Sequence, residues 1–386
     1  MASKRADGRM SRRLLYVVND AGYFLSHRSA LAQAAISAGW EVHVATAFAD
    51  GPDLLRERIR ALGVIPHAVP VTRFGLRLDR ELWAVWSIFR LMRVVKPELV
   101  HLVALKAVLV GGLAAAFARV PARIVTIAGL GYVFDSRGWR ERLARAVFRL
   151  ALLGVVSANT RIIVQNSEDM ARIAVTGFIA RRGVLIPGSG VDLDYFHPSP
   201  EPPGPVVVLM PSRMLWNKGV AVFVAAARDL RAAGVAARFH LAGDTDPGNP
   251  AEVPPATLAA WSDSGVVDWL GHVEDMPALL AASHIVCLPS SYGEGVPKSL
   301  IEAAAAGRAI VATDIAGCRE IVRDGENGLL VPPRDAPALA AALRRLIDDG
   351  TLRQRFGARG RAIAQARFGI ADVVAATLAV YRELTP

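Results

Sequence analysis

The feature that most restricts this chain is a rhythm. Short apolar runs alternate with longer segments whose apolar residues recur at helical spacing. Strands separated by single helices imply parallel pairing and a doubly wound sheet, since a parallel connection needs a crossover long enough for a helix. In the first half, strands are expected at 13–19, 41–46, 64–69, 98–103, 123–127, 161–165 and 184–186. One intervening helix runs from an N-cap at Ser26 to Gly39, and another ends near Gly63. A third, over 78–95, spaces Leu82, Trp86 and Phe89 helically and stops before Pro97. Further helices are expected over 106–118 and 140–156 and from Ser167.

Gly188, Ser189 and Gly190 interrupt the rhythm, and Pro198, Pro200, Pro202, Pro203 and Pro205 make 191–205 too stiff for a helix. A second alternating series follows, with strands expected at 206–210, 238–242, 266–270, 309–313 and 328–331. The expected organisation is a domain over 1–190, a linker over 191–205 and a domain over 206–370, with a last helix in 371–386 packing back on the first domain. The expected fold class is α/β: two doubly wound Rossmann-like domains facing a cleft. Ligands of open parallel sheets sit at the carboxyl ends of strands.

Composition removes several classes. No run reaches the ~18 uncharged apolar residues of a bilayer span, although the mean hydropathy is +0.32. The basic start is followed by too short an apolar run for a signal sequence, and two cysteines cannot build a disulfide framework. The expected setting is therefore cytoplasmic. Net charge is +10, unevenly placed: residues 1–190 carry 27 Lys and Arg against 13 acidic residues, and the remainder carries −4. A basic half suggests a polyanionic partner, either nucleic acid or an anionic membrane, unless it reflects a genome that favours Arg. No recognisable nucleic-acid module accompanies it, so nucleic acid is not expected as a partner. A nicotinamide oxidoreductase is disfavoured because the segment after the first strand lacks the spaced glycines.

The stretch 290–307 carries the strongest chemistry. An apolar run leads through Gly293 and Gly295 into a helix expected to start at Pro297 and stop at Gly307. Backbone N–H groups and the dipole at such a helix start suit phosphate. Glu294 and Glu302 flank it and suit sugar hydroxyls. Both are otherwise ordinary surface residues of a βα unit. Arg213 and Lys218 follow the strand over 206–210 and could stabilise a departing diphosphate, Arg by a two-oxygen clasp and Lys as a point charge.

The combination resembles glycosyltransferase family 4, whose members are retaining and have the glycosyltransferase-B fold. The resemblance spans nearly the whole chain. It includes GYFLSHRSALAQAAISAGWEVHVAT, AGLGYVFDSRG, IPGSGVDLDYFHP and ATDIAGCREIVRDGENGLLVPP, which look like the capsule and exopolysaccharide branch. The resemblance implies that Arg213 and Lys218 hold the donor diphosphate, Glu294 meets the sugar and Glu302 the ribose. It implies that the segment Gly295, Val296, Pro297, Lys298, Ser299 and Leu300 lines the sugar and phosphates. The turn near Val273 would hold the base, Gly22 would admit close approach of the substrates, and His27 would lie on the acceptor side. Ala128 stands where many members have His, so the donor preference does not carry over. His101 and Lys106 could face the same cleft, or His101 could be structural.

Two acidic pairs, Asp192 with Asp194 and Asp244 with Asp246, lack a third ligand at suitable spacing. No cofactor or catalytic metal is expected, and the donor substrate is a nucleoside diphosphate sugar. Arg137, Arg140, Arg142, Arg145 and Arg149, with Leu143, Val147 and Leu150, form either a membrane-seeking amphipathic helix or a solvated face. Arg73, Arg77, Arg80 and Trp83 could extend it. The function expected is a retaining, metal-independent hexosyltransferase. It would be cytoplasmic, peripheral on the inner face of the cell membrane, and would use a UDP-sugar and an undecaprenyl diphosphate-linked acceptor in surface polysaccharide assembly. The alternative is a catalytically silent scaffold of the same fold on the membrane surface.

Overall fold

The computed structural model describes residues 12–48, 52–71, 77–129, 138–174 and 177–386. The chain divides into two compact units, Met1–Ser189 with Val373–Pro386, and Gly190–Asp372.

The first unit contains strands β1 (Arg12–Val18), β2 (Trp40–Thr46), β3 (Ile65–Ala68), β4 (Leu99–Val103), β5 (Ala122–Ile127), β6 (Thr160–Val164) and β7 (Gly183–Leu185). Its helices are α1 (Ala21–Ser37), α2 (Pro52–Ala61), α3 (Leu78–Val95), α4 (Leu105–Phe117), α5 (Trp139–Val155), α6 (Ser167–Ile173) and α7 (Gly177–Ala180). Among the described residues the strands form one sheet in the order β3-β2-β1-β4-β5-β6-β7, paired in parallel throughout. Helices cover both faces, so the central strands read as largely apolar runs such as LLYVV and LVHLV, the latter broken only by His101.

The second unit contains β8 (Val206–Pro211), β9 (Ala237–Ala242), β10 (Asp268–Trp269), β11 (Ile285–Leu288), β12 (Ala309–Thr313) and β13 (Gly328–Val331). Its helices are α8 (Val220–Ala232), α9 (Pro255–Asp263), α10 (Met276–Ala281), α11 (Lys298–Ala305), α12 (Ala316–Ile321), α13 (Ala336–Asp348) and α14 (Gly350–Arg367). The final helix, α15 (Ile370–Leu384), begins here and continues into the first unit. The strand order β10-β9-β8-β11-β12-β13 reverses direction between β8 and β11. That reversal is the topological switch point at which such sheets bind ligands.

Two starts differ from expectation. Helix α1 is capped by Asp20, whose carboxylate accepts the Tyr23 N–H at 2.8 Å, and Ser26 sits inside the helix, donating to the Gly22 carbonyl. Asp at the cap supplies a charged acceptor to the exposed donors of the first turn, leaving Ser26 no such role. Pro297 is the N-cap of α11 rather than its first helical residue, with ψ of 122°.

The proline-rich segment 191–205 belongs to the second unit. Val191 and Phe196 are buried in its core, and Val191 exchanges backbone hydrogen bonds with Phe368 and Ile370. Arg361 donates to the carbonyls of Leu193 and Phe196, and Arg353 pairs with Glu201 at 2.8 Å. Helix α15 completes the first unit's core: the Tyr381 hydroxyl meets Tyr16 Oη at 2.9 Å and His101 Nδ1 at 2.7 Å. His101 Nε2 meets Thr126 Oγ1 at 2.7 Å, so this histidine is fully buried and structural. Burial, assisted by the nearby Arg28, holds its pKa well below the ordinary value.

Candidate active site

The loops that follow β8 and β11, neighbours at the switch point, bring together the residues expected to act on a donor. After β8 the chain passes Arg213, turns through a short 3₁₀ segment, Trp216–Lys218, and enters α8 at Gly219. Gly219 has φ of +83°, and a Cβ there would lie 2.0 Å from the Pro289 carbonyl oxygen, so this position admits only glycine. The close approach is fastened by Ser291, whose N–H donates to the Asn217 carbonyl at 2.9 Å.

Lys218 Nζ lies 2.5 Å from Glu294 Oε2, and both side chains are largely buried. The Ser290 hydroxyl donates to the other Glu294 oxygen, and the Tyr292 ring lies 5.4 Å from the ammonium. Burial alone would lower the Lys218 pKa; the charge of Glu294, then Tyr292 and the hydrogen bond to Glu294, outweigh it and raise the value. The balance favours the ammonium form of Lys218. Arg213 pairs at 2.5 Å with Asp246, whose second partner is Asn249, and half of the Arg213 side chain stays exposed. The sequence suggested Asp246 as half of a metal-like pair; the structure makes it the anchor of Arg213. Asp192 instead accepts the N–H groups of Asp194 and Tyr195 in a turn.

Glu302 lies on α11, nearly buried, 3.3 Å from Lys298 one helical turn earlier. Burial raises its pKa and Lys298 offsets part of the rise. Gly295, Val296, Pro297 and Ser299 line the approach to this helix start. Leu300 departs from expectation: its N–H is donated to the Pro297 carbonyl and its side chain is fully buried in the core, so neither remains for a ligand. Val296 is also a core side chain. Gly317 on α12 is a position whose physical reason the sequence hid. A Cβ there would lie 1.7 Å from the Gly295 carbonyl oxygen, so only glycine lets α12 support the turn. Beside the ends of β9 and β10, the Gly243 N–H donates to the Gly271 carbonyl at 2.7 Å, and Val273 packs on the core nearby.

In the first unit, Gly22 sits in the first turn of α1, where a Cβ would lie 3.2 Å from the capping Asp20 Oδ1. His27 stacks on Tyr23 at 4.2 Å and its Nδ1 meets the Ser26 hydroxyl. Lys106 pairs with Glu81 at 2.7 Å. On α5 the expected arginine face divides. Arg142 is exposed, whereas Arg149 donates to the Arg172 carbonyl and Arg145 is half-buried. Phe148 and Leu152 turn into the core, while Trp139, Leu143 and Leu150 are exposed by 70%, 58% and 72%. Arg137 and the side chain of Arg140 lie outside the described residues, as does Arg73. Among the described residues no helix is long and apolar enough to cross a membrane, and no cluster of acidic, His and Cys side chains could hold a metal.

Comparison with known proteins covers both units. The family Glycosyltransferase Family 4 matches residues 27–195, and Glycosyl transferases group 1 matches 205–349. The N,N'-diacetylbacillosaminyl-diphospho-undecaprenol alpha-1,3-N-acetylgalactosaminyltransferase of Campylobacter jejuni is 29% identical over 321 residues, 78% of this chain and 81% of that protein. The UDP-Gal:alpha-D-GlcNAc-diphosphoundecaprenol alpha-1,3-galactosyltransferase of Escherichia coli is 24% identical over 78% of each chain. Among solved structures, Anabaena HepE in complex with UDP and glucose superposes with a TM-score of 0.75 at 21% identity, covering 95% of this chain and 99% of that one. That likeness establishes the two-sheet glycosyltransferase-B fold.

Proposed function

We propose that this chain, which belongs to glycosyltransferase family 4, moves a hexose or N-acetylhexosamine from a UDP-sugar to a saccharide carried on undecaprenyl diphosphate in surface polysaccharide assembly, with retention at the anomeric carbon. The observation that carries the reading is the pairing of Lys218 with Glu294 at the switch point, with Arg213 half-exposed after the same strand. The relatives from Campylobacter jejuni and Escherichia coli, named for lipid-diphosphate saccharides, support the acceptor class.

In this reading Arg213 and Lys218 hold the donor diphosphate and stabilise the charge that develops as the bond from the anomeric carbon to the phosphate oxygen breaks. The acceptor hydroxyl oxygen bonds to the same face of that carbon, its proton passes to the leaving phosphate oxygen, and UDP departs. Glu294 stays paired with Lys218 and meets the sugar. Glu302 takes the ribose hydroxyls, which suits a carboxyl held in a dry site. Gly295, Val296, Pro297, Lys298 and Ser299 present backbone to the sugar and phosphates, and Val273 borders the base. Gly22 and His27 lie on the acceptor side. The two cations do the electrostatic work that a metal does in other transferases, so no metal is required.

The protein acts as a peripheral enzyme at the cytoplasmic face of the membrane, to which the exposed Trp139, Leu143 and Leu150 of α5 give a hydrophobic foothold beside Arg142. A panel of UDP- and GDP-sugars, scored for nucleotide release with a short polyprenyl diphosphate saccharide, tests the reading. No release from any donor would leave a silent scaffold of the same fold.

A further inference from the structure

The first unit carries a cavity of about 620 Å³ at the carboxyl ends of β2 and β3, and none of the residues assigned above lines it. Its volume lies within the ~300–1,000 Å³ range of small-ligand sites. Phe48, Val69 and Val71 line it apolarly, and Arg56 and Arg80 bring two cations to it. The Arg56 guanidinium lies over the Phe48 ring at 4.9 Å, and among the described residues its carboxylate partner is the almost wholly exposed Asp53, at 3.9 Å. Trp83 closes one side and continues outward: its ring stacks on Trp86 at 4.7 Å, and Arg90 lies over Trp86 at 4.8 Å. Both tryptophans are about half exposed, at 55% and 45%, and Leu82 and Leu78 on the same helix are more exposed still.

A ligand matched to this surface needs two parts. It needs an anionic head with several acceptor oxygens for two guanidinium groups. It also needs an apolar chain long enough to leave the cavity over Trp83 and Trp86. A nucleotide sugar has the first and lacks the second, and a bilayer lipid with one phosphate underuses the paired cations. We infer that this cavity holds the polyprenyl diphosphate part of the acceptor, the diphosphate on Arg56 and Arg80 and the first isoprene units along Trp83 and Trp86. The inference rests on the transfer reading for the ligand's class. It adds that the lipid anchor itself is recognised, by residues distinct from those that hold the donor.

Binding measured by titration calorimetry in excess UDP, which occupies the donor side, tests it. The probes are farnesyl diphosphate, farnesol and inorganic diphosphate, and the proteins are the parent, the Arg56→Glu/Arg80→Glu double variant and Trp83→Ala. The expected result is that the parent prefers farnesyl diphosphate to both simpler probes. The double variant should weaken it by at least about tenfold, the lower end for losing charged hydrogen bonds, with an unchanged melting temperature. Trp83→Ala should weaken farnesyl diphosphate and leave inorganic diphosphate unaffected. Equal binding of farnesyl diphosphate by parent and double variant overturns the inference, and so does inorganic diphosphate binding as tightly as the prenyl form. If sugar transfer to a lipid acceptor is intact while either of these holds, the cavity assignment alone has failed. If no donor is turned over yet the double variant loses the prenyl ligand, the transfer reading alone has failed.

Discussion

Lys218 and Glu294 form a buried ion pair with 2.5 Å between Nζ and Oε2, although 76 residues separate them in the chain. They meet because β8 and β11 are neighbours in the sheet and each residue follows the carboxyl end of one of them. Removing one partner strands a charge in a dry place, whereas removing both does not.

Lys218→Met alone should therefore destabilise the protein by about 3 kcal/mol or more and cut turnover by about 100-fold or more. Combined with Glu294→Gln, most of the stability should return while turnover stays low. Urea midpoints and nucleotide release on the two single variants and the double separate the roles. Recovery of turnover together with stability would make the pair purely structural.

If Arg213 and Lys218 supply the positive charge as proposed, donor turnover should persist in excess EDTA. Nucleotide release before and after chelation measures this. Complete loss, restored by Mn²⁺ or Mg²⁺, would return Asp244 and Asp246 to consideration as ligands.

Replacing Leu143 and Leu150 with Glu, together with Arg142→Glu, should weaken sedimentation with anionic vesicles by at least about 2 kcal/mol, from lost apolar insertion and a reversed charge. Arg149 is left intact, since it holds the Arg172 carbonyl. Turnover on a short water-soluble acceptor should not change. Vesicle binding equal to the parent's would show a solvated face.

His43 and His67 are hydrogen-bonded across β2 and β3, Nδ1 to Nε2 at 2.9 Å, with His43 Nε2 on Glu41. Burial, then the neighbouring His43, lowers the His67 pKa to about 4. The unfolded chain thus binds a proton near pH 6.5 that the folded one refuses until pH 4. Stability from this group is full above about pH 6.5 and falls as pH drops toward 4. The loss is on the order of 1 kcal/mol, allowing for the ring's partial exposure. Denaturant midpoints between pH 7 and pH 4.5 should fall less in His67→Asn than in the parent; parallel curves would show that His67 does not contribute.

Periodicity made the alternation of strands and helices legible, since each buried strand is an apolar run and each helix has an apolar side. Arg213, Lys218, Glu294 and Glu302 stand out by their charge at strand ends, and the family resemblance assigns each of them a role. What remained hidden depends on contacts between distant segments. Asp246 could not be matched to Arg213 because loop proximity follows strand order, which the local sequence does not encode. Leu300 looked like part of the phosphate loop because only the helix start at Lys298 decides whose N–H is already used. The two-residue β10 was expected to be longer because the apolar residues around it serve the core from irregular backbone. On α5, helical spacing grouped Leu143 with Leu150, but the buried side belongs to Phe148 and Leu152.

The placement of Tyr381 has a consequence for how the molecule is made. Tyr16 waits for a hydroxyl partner 365 residues further along. At ~5–20 residues per second that interval lasts roughly 20 to 70 s on the ribosome. The second unit, contiguous from Gly190 to Asp372, can close within that time. The unit begun first is therefore finished last, with His101 and Trp40 lacking their contacts to Tyr381 until α15 is released. Nascent chains stalled before α15 should be the species that chaperones capture.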